Sequence, residues 1–485
     1  MKLLIILRTT LCLICSHGLW ACLAYAQSPG SDFLEVNHLP SAPVPQAVTL
    51  QTDPGAYAGS RPRSEFQTES SGMQTSAENP TSLSLKQAEA LALKNNPMIS
   101  VSRLTALASQ QVAREVRSNL WPTATANLTS VDSRDNSRIT AGGLNNPIIY
   151  ERAAAGVSVS QLLTDFGRTK NLAASASLSA KAEKQNAIAT KEQILLAVNQ
   201  AFYSVLQAHA VLTVAQQTVV ARQAVADQIE ALYQSKLKSQ LDYSFANVNL
   251  AQAKLLLLDT ENNENEALAT LSMVLGFTTT QNFKLVEDDR AASAPPRNVD
   301  ELTAQAFSMR PEILSSEFQY QSAQKFRNAE RDLFLPEVSA VGAVGATPVR
   351  NPALSNWYGA VGVNVAIPIF NGFLDSAKAK EAGFREQAAR SRLLDLRNRI
   401  SRDVRTSWLN AQTVYQRVEV TQQLLDQANL ALDLAQTRYK LGLGSIVELS
   451  QAQLQQTQAQ ISTTQSEYDY RVALAMLSYQ TTGIQ

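Results

Sequence analysis

The stretch RYKLGLGSIVEL, residues 438–449, interrupts a long helical pattern in the second half of the sequence. No proline occurs from residue 373 to the end, so only Gly442 and Gly444 break this pattern near its middle. Glycine readily adopts the left-handed conformation that ends many helices. Ser445 and Glu448 then follow at the spacing of a capping box, which starts a new helix. The stretch therefore predicts that a long helix ends, reverses through two left-handed glycines and returns.

The first half of the sequence reverses at SKLKSQLD, residues 235–242, and this segment contains no glycine. We therefore expect its turn to be built differently from the turn at residues 438–449. Ser239 and Asp242 have capping-box spacing here too. In either half such a box can simply start the return helix, and it can also hold a carboxylate at the tip of a helical hairpin.

The body of the sequence contains an internal duplication. The residues GVSV at 156–159 match GVNV at 362–365 with an offset of 206, and the same offset pairs Tyr233 with Tyr439. An offset kept over so many residues indicates two similar structural halves. Each half is expected to contain a short helix, two strands, a long helix and a return helix, in that order.

This duplication, with the composition of the N-terminal part, predicts four segments. They are a signal peptide at 1–26, a flexible arm at 27–82 that is rich in Pro, Ser, Gly and Gln, a first repeat at 83–297 and a second repeat at 298–485.

The signal segment contains all three cysteines of the chain. Cleavage after the Ala-Tyr-Ala at 24–26 would leave a mature chain without cysteine, and hence without a disulfide or a thiolate site. An alternative cleavage before Cys22 would leave that residue as a site of lipidation. Both interpretations place the mature protein outside the cytoplasm.

Heptad patterns indicate long coiled-coil helices in both halves. One pattern runs from Val198 to Tyr233 and the other from Val404 to Tyr439, with many Ala and Ser residues at the seam. A sustained spacing of 3.5 residues is typical of coiled coils, and small seam residues let helices approach closely. Around 70 residues at ~1.5 Å each give a helix of roughly 100 Å. We expect a mainly α fold with a small β part.

The β part is predicted from segments with alternating apolar and polar residues. Val157 and Val159 alternate with small polar residues in the first half, and Val361, Val363 and Val365 alternate with Gly362 and Asn364 in the second. Strands of this kind can cross an outer membrane as part of a closed barrel, whereas a soluble sandwich edge is the alternative. Four strands close neither structure alone, so we expect an oligomer, and three copies supply twelve strands.

Composition and motifs argue against several functions. The net charge is zero and the pI is about 6.9, so no nucleic-acid partner is expected. Asp165-Phe166-Gly167 lacks the other motifs of a kinase and is interpreted as a turn. His209, the one histidine in the folded body, is expected to be a packed or solvated residue. We expect no enzyme activity, no cofactor and no metal site.

The whole body, from about residue 83 to 482, resembles the TolC-like outer-membrane efflux family. The junctions LWP at 120–122 and FLP at 334–336 carry this resemblance, together with RYKLGLGSIVEL, which is similar to the family's tip motif. The resemblance implies a homotrimer with a 12-stranded β-barrel in the lipid of the outer membrane and a long α-helical barrel across the periplasm. It also implies a passive export duct, which a periplasmic adaptor protein connects to an inner-membrane pump.

The resemblance further implies a gate at the periplasmic tip. Tyr439 matches the family's gate tyrosine, Asp242 the aspartate that it bonds on the neighbouring helix pair, and Glu448 the first acid of a ring at the entrance. Gly444 stands where some members have a gate arginine, and Gln451 stands at the second acidic position. A ring of three glutamates would therefore trap cations more weakly than one of six acids.

The tip turns themselves are the expected contact with the adaptor. The residues assigned to this contact are Leu237, Ser239, Gly442, Leu443, Gly444 and Ser445. The alternative to an export duct is an exported coiled-coil scaffold or adhesion protein without transport activity. Amphipathic strands at matched positions favour the duct, because a scaffold does not need them. The exported substrate is not encoded in any motif of the sequence.

Overall fold

A computed structural model of the chain describes residues 82–132, 152–287, 293–347 and 355–481. The predicted signal peptide, Cys22 and the predicted arm up to residue 81 lie outside the described residues.

The first repeat has two helices before its strands. Helix α1 (Leu85–Asn95) ends where Asn96 precedes a proline, and α2 (Pro97–Ser118) begins at that proline. The Asn96 side chain caps α2 by accepting a hydrogen bond from the amide of Met98 at 2.9 Å. Proline suits the first position of a helix, which has no intrahelical donor to lose. The predicted order treated Pro97 as the end of a helical stretch and so omitted α2.

The second repeat likewise has a helix, beginning at Pro311, that the predicted order omitted; the remaining elements follow that order in both repeats. The first repeat continues with β2 (Thr123–Val131), β3 (Arg152–Thr164), α3 (Arg168–Gln234) and α4 (Gln240–Val274). The second consists of α5 (Val299–Met309), α6 (Pro311–Arg331), β5 (Glu337–Ala346), β6 (Trp357–Ala366), α7 (Leu374–Lys440) and α8 (Ile446–Thr481). Two short strands, β1 (Ser82–Leu83) and β4 (Lys284–Leu285), pair in parallel.

The long helices α3 and α7 contain 67 residues each, which corresponds to roughly 100 Å. Both helices bury residues at the predicted heptad positions, and α3 buries further apolar residues beside its seam, such as Phe202 and Leu206. Val198, Val205, Val404 and Ala411 are all buried at the seams. Arg222 is the exception, because it occupies a seam position that is filled by small or apolar residues elsewhere in α3.

One part of α3 is apolar enough to enter a membrane by composition. This part lies within Arg168–Gln234, and half of it is buried against other residues. The apolar residues Val198, Phe202 and Val205 of α3 pack against α1, α4 and α8 in one core cluster. Burial among these helices accounts for the apolar composition of this part of α3.

The four longer strands form an antiparallel sheet in the order β2-β3-β5-β6. The register places the predicted apolar residues on one face, with Val157 opposite both Ala126 and Val344. The same face continues through Val363 of β6, which lies opposite Ala340. In the single chain this face is uncovered, and Val361 is 91% exposed. The sheet therefore has the amphipathic faces that the alternating sequence predicts.

The corner between β3 and α3 is formed by the Asp165-Phe166-Gly167 motif. Phe166 and Gly167 both have positive φ, of 55° and 112°. The carboxylate of Asp165 accepts a hydrogen bond from the Thr169 amide at 2.6 Å, in the first turn of α3. The motif is thus a strand-to-helix turn, as expected.

A tight junction joins the end of α4 to the end of α1. Gly276, just after α4, has a φ of +87°, and a Cβ atom there would lie 2.7 Å from the carbonyl oxygen of Asn95. The side-chain amide of Asn96 donates to the carbonyl of Val274 at 2.9 Å. This close contact of two backbones leaves no room for a side chain at position 276.

Candidate functional site at the hairpin tips

The two helical hairpins, α3–α4 and α7–α8, end in turns that we call the first tip turn (235–239) and the second tip turn (441–445). Both turns have the same backbone. In each turn, the backbone amide two residues after the C-cap of the long helix donates a hydrogen bond to the carbonyl five residues before it. This is the pattern of a Schellman motif. The matching bonds run from Leu237 N to Leu232 O at 2.9 Å and from Leu443 N to Arg438 O at 2.8 Å.

The expectation that the first tip turn is built differently is therefore wrong. Lys236 stands where the second tip turn has Gly442, and it adopts the same left-handed conformation, with φ of 61° against 71°. A residue with a Cβ atom is strained there by about 1–2 kcal/mol. The backbone hydrogen bonds of the Schellman motif, from the amides of Lys236 and Leu237, outweigh this strain.

Removing this strain is expected to tighten the first tip turn. In Lys236→Gly the amides of Leu237 and Lys238 should exchange with solvent about threefold more slowly, since relief of the strain exceeds the entropy that glycine costs by several tenths of a kcal/mol. Gly442→Ala, the reverse change in the second tip turn, should accelerate exchange at Leu443. Hydrogen exchange followed by mass spectrometry measures both, and faster exchange in Lys236→Gly would contradict the account.

Only Gly442 of the two predicted glycines is left-handed. Gly444 is absent from the positive-φ residues of the described chain, and its role is steric. A Cβ atom at position 444 would lie 3.3 Å from the Cβ of Arg438 and 3.4 Å from the amide nitrogen of Tyr439. Glycine at position 444 thus lets the backbone of the turn pass close to the end of α7.

The two predicted capping boxes also differ. In the first tip turn the box is complete, since Ser239 Oγ accepts from the Asp242 amide at 3.2 Å and the Asp242 carboxylate accepts from the Ser239 amide at 3.1 Å. In the second tip turn only the serine side of the box forms, with 3.1 Å between the Glu448 amide and Ser445 Oγ. The Glu448 carboxylate instead pairs with Arg438 Nε at 3.1 Å.

Tyr439 is the residue at which the two hairpins meet. It is 9% exposed, and its cluster includes Ala226 and Ile229 of α3 together with Leu449 of α8. The Lys238 ammonium lies 4.0 Å from the centre of the Tyr439 ring, so a cation–π contact joins the first tip turn to the second hairpin.

The predicted hydrogen bond between Tyr439 and Asp242 is not formed in this structure. The Tyr439 hydroxyl is buried without a hydrogen-bond partner, and the Asp242 carboxylate is held by Ser239. Burial of the hydroxyl, and then the nearby charge of Asp242, raise the pKa of Tyr439 above its ordinary value. The ring therefore contributes packing and a cation–π contact, while the gate role of the pair stays a prediction.

Further contacts between the hairpins were not predicted from the sequence. Asn249 of α4 donates to Ser450 of α8 at 2.7 Å. Arg222 of α3 lies 3.4 Å from the Thr457 hydroxyl of α8, and no carboxylate of a described residue lies within ion-pair distance of it. Burial lowers the pKa of Arg222 to about 10. Alignment of the two repeats would have singled out Arg222 from the sequence, because the residue aligned with it in α7 is the buried Ala428.

Four leucines are exposed at the tips, and we call them the tip leucines: Leu237, Leu241, Leu441 and Leu443. Each is more than 60% exposed in the single chain. Two of them, Leu237 and Leu443, were predicted to contact an adaptor. Gln451, the predicted second ring position, is exposed on α8. The tips thus offer apolar side chains to a partner.

No cluster of metal-ligating side chains occurs among the described residues. His209 pairs with Glu264 at 2.7 Å on the helical surface, and its side chain is 68% exposed. This placement agrees with a solvated histidine rather than with a catalytic base.

Comparison with known proteins relates the chain to bacterial outer membrane proteins. A profile of the family described as outer membrane efflux protein matches residues 90–277 and 302–482. Among curated proteins, the chain is 24% identical over 326 residues to the probable outer membrane lipoprotein SilC of Salmonella typhimurium, covering 62% of this chain and 65% of SilC. It is 23% identical over 379 residues to the outer membrane protein OprJ of Pseudomonas aeruginosa, covering 75% and 76% of the two chains. The alignment thus spans just under two thirds of SilC and about three quarters of OprJ.

Solved structures agree with this comparison at the level of the fold. The outer membrane channel CmeC of Campylobacter jejuni superposes with a TM-score of 0.71 at 17% identity, over 82% of this chain and 85% of CmeC. Two long helical hairpins with a small sheet are therefore an arrangement that occurs in solved channel structures.

Proposed function

Because the chain belongs to the outer membrane efflux protein family, we propose that three copies of it form a passive channel in the outer membrane for a tripartite efflux assembly. In this assembly a periplasmic adaptor and an inner-membrane pump would supply cargo and energy. The family consists of channels rather than enzymes, in agreement with the expected lack of enzyme activity.

The observation that carries the proposal is the open, amphipathic sheet. Its edge strands β2 and β6 have no outer partner among the described strands, and its apolar face is uncovered. Unpaired edges are not tolerated in lipid, whereas closure of the sheets of three copies removes every edge. Helices α3 and α7 continue from strands β3 and β6 for roughly 100 Å, which supports a duct that extends far from the membrane.

Closure of this duct is proposed to occur at the hairpin tips. The α3–α4 and α7–α8 hairpins meet through the cluster around Tyr439, the Lys238 contact and the Asn249–Ser450 bond. Opening would separate the hairpins and break these contacts. The tip leucines are the surface through which an adaptor would stabilise the separated arrangement, because they are apolar and lie beside both turns.

The acidic ring that Glu448 would form in the trimer is expected to bind cations weakly, because Arg438 pairs with each glutamate. Arg438→Gln should therefore strengthen block of single channels by a trivalent cation severalfold, while Glu448→Gln should remove the block. The effect is modest, since both side chains are about half exposed and salt screens the pair. Lys440→Gln is the control, because it removes one positive charge from an exposed residue nearby. Block unaffected by Glu448→Gln would exclude the ring.

The oligomeric state tests the proposed assembly directly. Native mass spectrometry of the protein, purified from membranes in mild detergent, should give three times the mass of the mature chain. A monomer would instead favour the alternative, an exported scaffold without transport activity.

A further inference from the structure

A groove between α2 and α3 carries four cations, and we call it the basic groove. Arg114 and Arg117 lie on the α2 side, Lys181 and Lys184 on the α3 side, and small residues such as Ala113 form its floor. Its volume is about 480 Å³. The size and the charge suit a phosphate group with part of the molecule that carries it.

Among the described residues, no carboxylate forms an ion pair with any of the four cations of the basic groove. Arg114 donates only to Gln111 at 3.3 Å, and Lys181 lies 5.8 Å from the ring centre of Phe318. The neighbouring carboxylate of Glu183 accepts from Asn186 instead. All four residues are exposed, so solvent screens much of their mutual repulsion, and a bound anion would lower it further.

The second repeat fills the position that corresponds to the floor of the basic groove. Arg327 of α6 matches Ala113, and Glu386 of α7 matches Ala180 in the groove floor. These two residues form an ion pair at 2.6 Å, with the carboxylate largely buried. The first repeat has alanines in their place and cations around them. The two alanines leave space between the cations of the first repeat, at the position where an ion pair of large side chains lies in the second.

The position of the basic groove indicates where the anion comes from. Arg117 lies six residues before β2 begins, and Ala173, the first α3 residue of the groove, lies nine residues after β3 ends. At ~1.5 Å per residue the groove begins roughly 10 Å from the sheet and ends roughly 30 Å from it. If the sheet lies in the membrane, phospholipid headgroups are the nearest phosphates, and each arginine can bind a phosphate through two parallel hydrogen bonds.

We propose that the basic groove binds the phosphate of a phospholipid headgroup, one for each copy of the chain. This inference rests on the proposed placement of the sheet in the membrane. The bound lipid would fix the junction between strands and helices at the membrane surface.

Lipid retention tests this proposal. The purified channel, reconstituted in vesicles of phosphatidylethanolamine and phosphatidylglycerol and then extracted in mild detergent, should retain up to three phospholipids in native mass spectrometry. The double variant Arg114→Gln, Lys181→Gln should retain about tenfold less, since each lost charged hydrogen bond weakens binding. The control Arg103→Gln, Lys191→Gln removes the same charge from exposed residues of α2 and α3 outside the groove, and it should retain lipid like the wild type.

Each outcome separates this proposal from the proposed function. Equal retention by the two double variants, in channels that still conduct, would overturn the lipid site and leave the channel intact. Lipid-free protein that binds inorganic phosphate in calorimetry but retains no phospholipid would also overturn it, in favour of a soluble anion. Loss of retention in Arg114→Gln, Lys181→Gln, with conductance like that of the wild type, is the result that supports it.

Discussion

Tyr439→Ala is expected to raise the open-to-closed ratio of single channels about a hundredfold. Truncating a buried aromatic residue costs about 3–5 kcal/mol, and about 3 kcal/mol corresponds to a factor of about 100. The ring of Tyr439 is buried between the two hairpins, so in the proposed mechanism this loss falls on the closed arrangement alone. Single-channel recording in planar bilayers measures the ratio.

Two further variants identify the interaction that Tyr439 contributes. Tyr439→Phe should leave the ratio unchanged, because the hydroxyl has no hydrogen-bond partner. Lys238→Met should raise it severalfold, through loss of a cation–π contact worth about 0.5–2 kcal/mol. A large increase in Tyr439→Phe would contradict this account and would favour the hydrogen bond to Asp242 that the family resemblance implies.

Gly276→Ala is expected to destabilise the protein by about 3 kcal/mol. The left-handed backbone costs a residue with a Cβ atom about 1–2 kcal/mol. The new methyl group would also lie 2.7 Å from the Asn95 carbonyl oxygen, so the junction must separate. Separation breaks the bond from Asn96 to Val274, worth about 1 kcal/mol more.

Gly383→Ala provides the matched control for this variant. Gly383 lies inside α7, and nothing lies within 4 Å of the position that its Cβ would occupy. Alanine there should stabilise the helix by about 0.5–1 kcal/mol. Thermal unfolding followed by circular dichroism at 222 nm should thus move in opposite directions in the two variants. A melting temperature that changes equally in both would refute the role assigned to the α1–α4 junction.

The sequence predicted those parts of the fold that depend on a sustained period. The heptads that end at Tyr233 and Tyr439 predicted the long helices, because a buried seam must recur at 3.5 residues in a packed helix pair. Val157 and Val363 predicted one apolar face of the sheet by alternation. The glycine at 442 predicted the second tip turn, since a left-handed helix end favours glycine.

Features that depend on competing local interactions were missed. Lys236 adopts a conformation that its own residue type disfavours, because the backbone hydrogen bonds of the turn outweigh the strain. Glu448 was expected to complete a capping box, but Arg438 competes for its carboxylate. The helices α2 and α6 were both overlooked because a proline can begin a helix as well as end one. Arg222 lies at a seam position where the pattern alone predicts a small residue.

Conductance of the purified protein is the most direct test of the central claim that three chains form a passive channel. Wild-type protein added to a planar lipid bilayer should give discrete conductance steps when a voltage is applied, with no nucleotide present and equal salt on both sides. Tyr439→Ala should increase the time that each channel spends open. Correctly folded protein that inserts as a monomer, or that inserts without conductance steps in both the wild type and Tyr439→Ala, would contradict it.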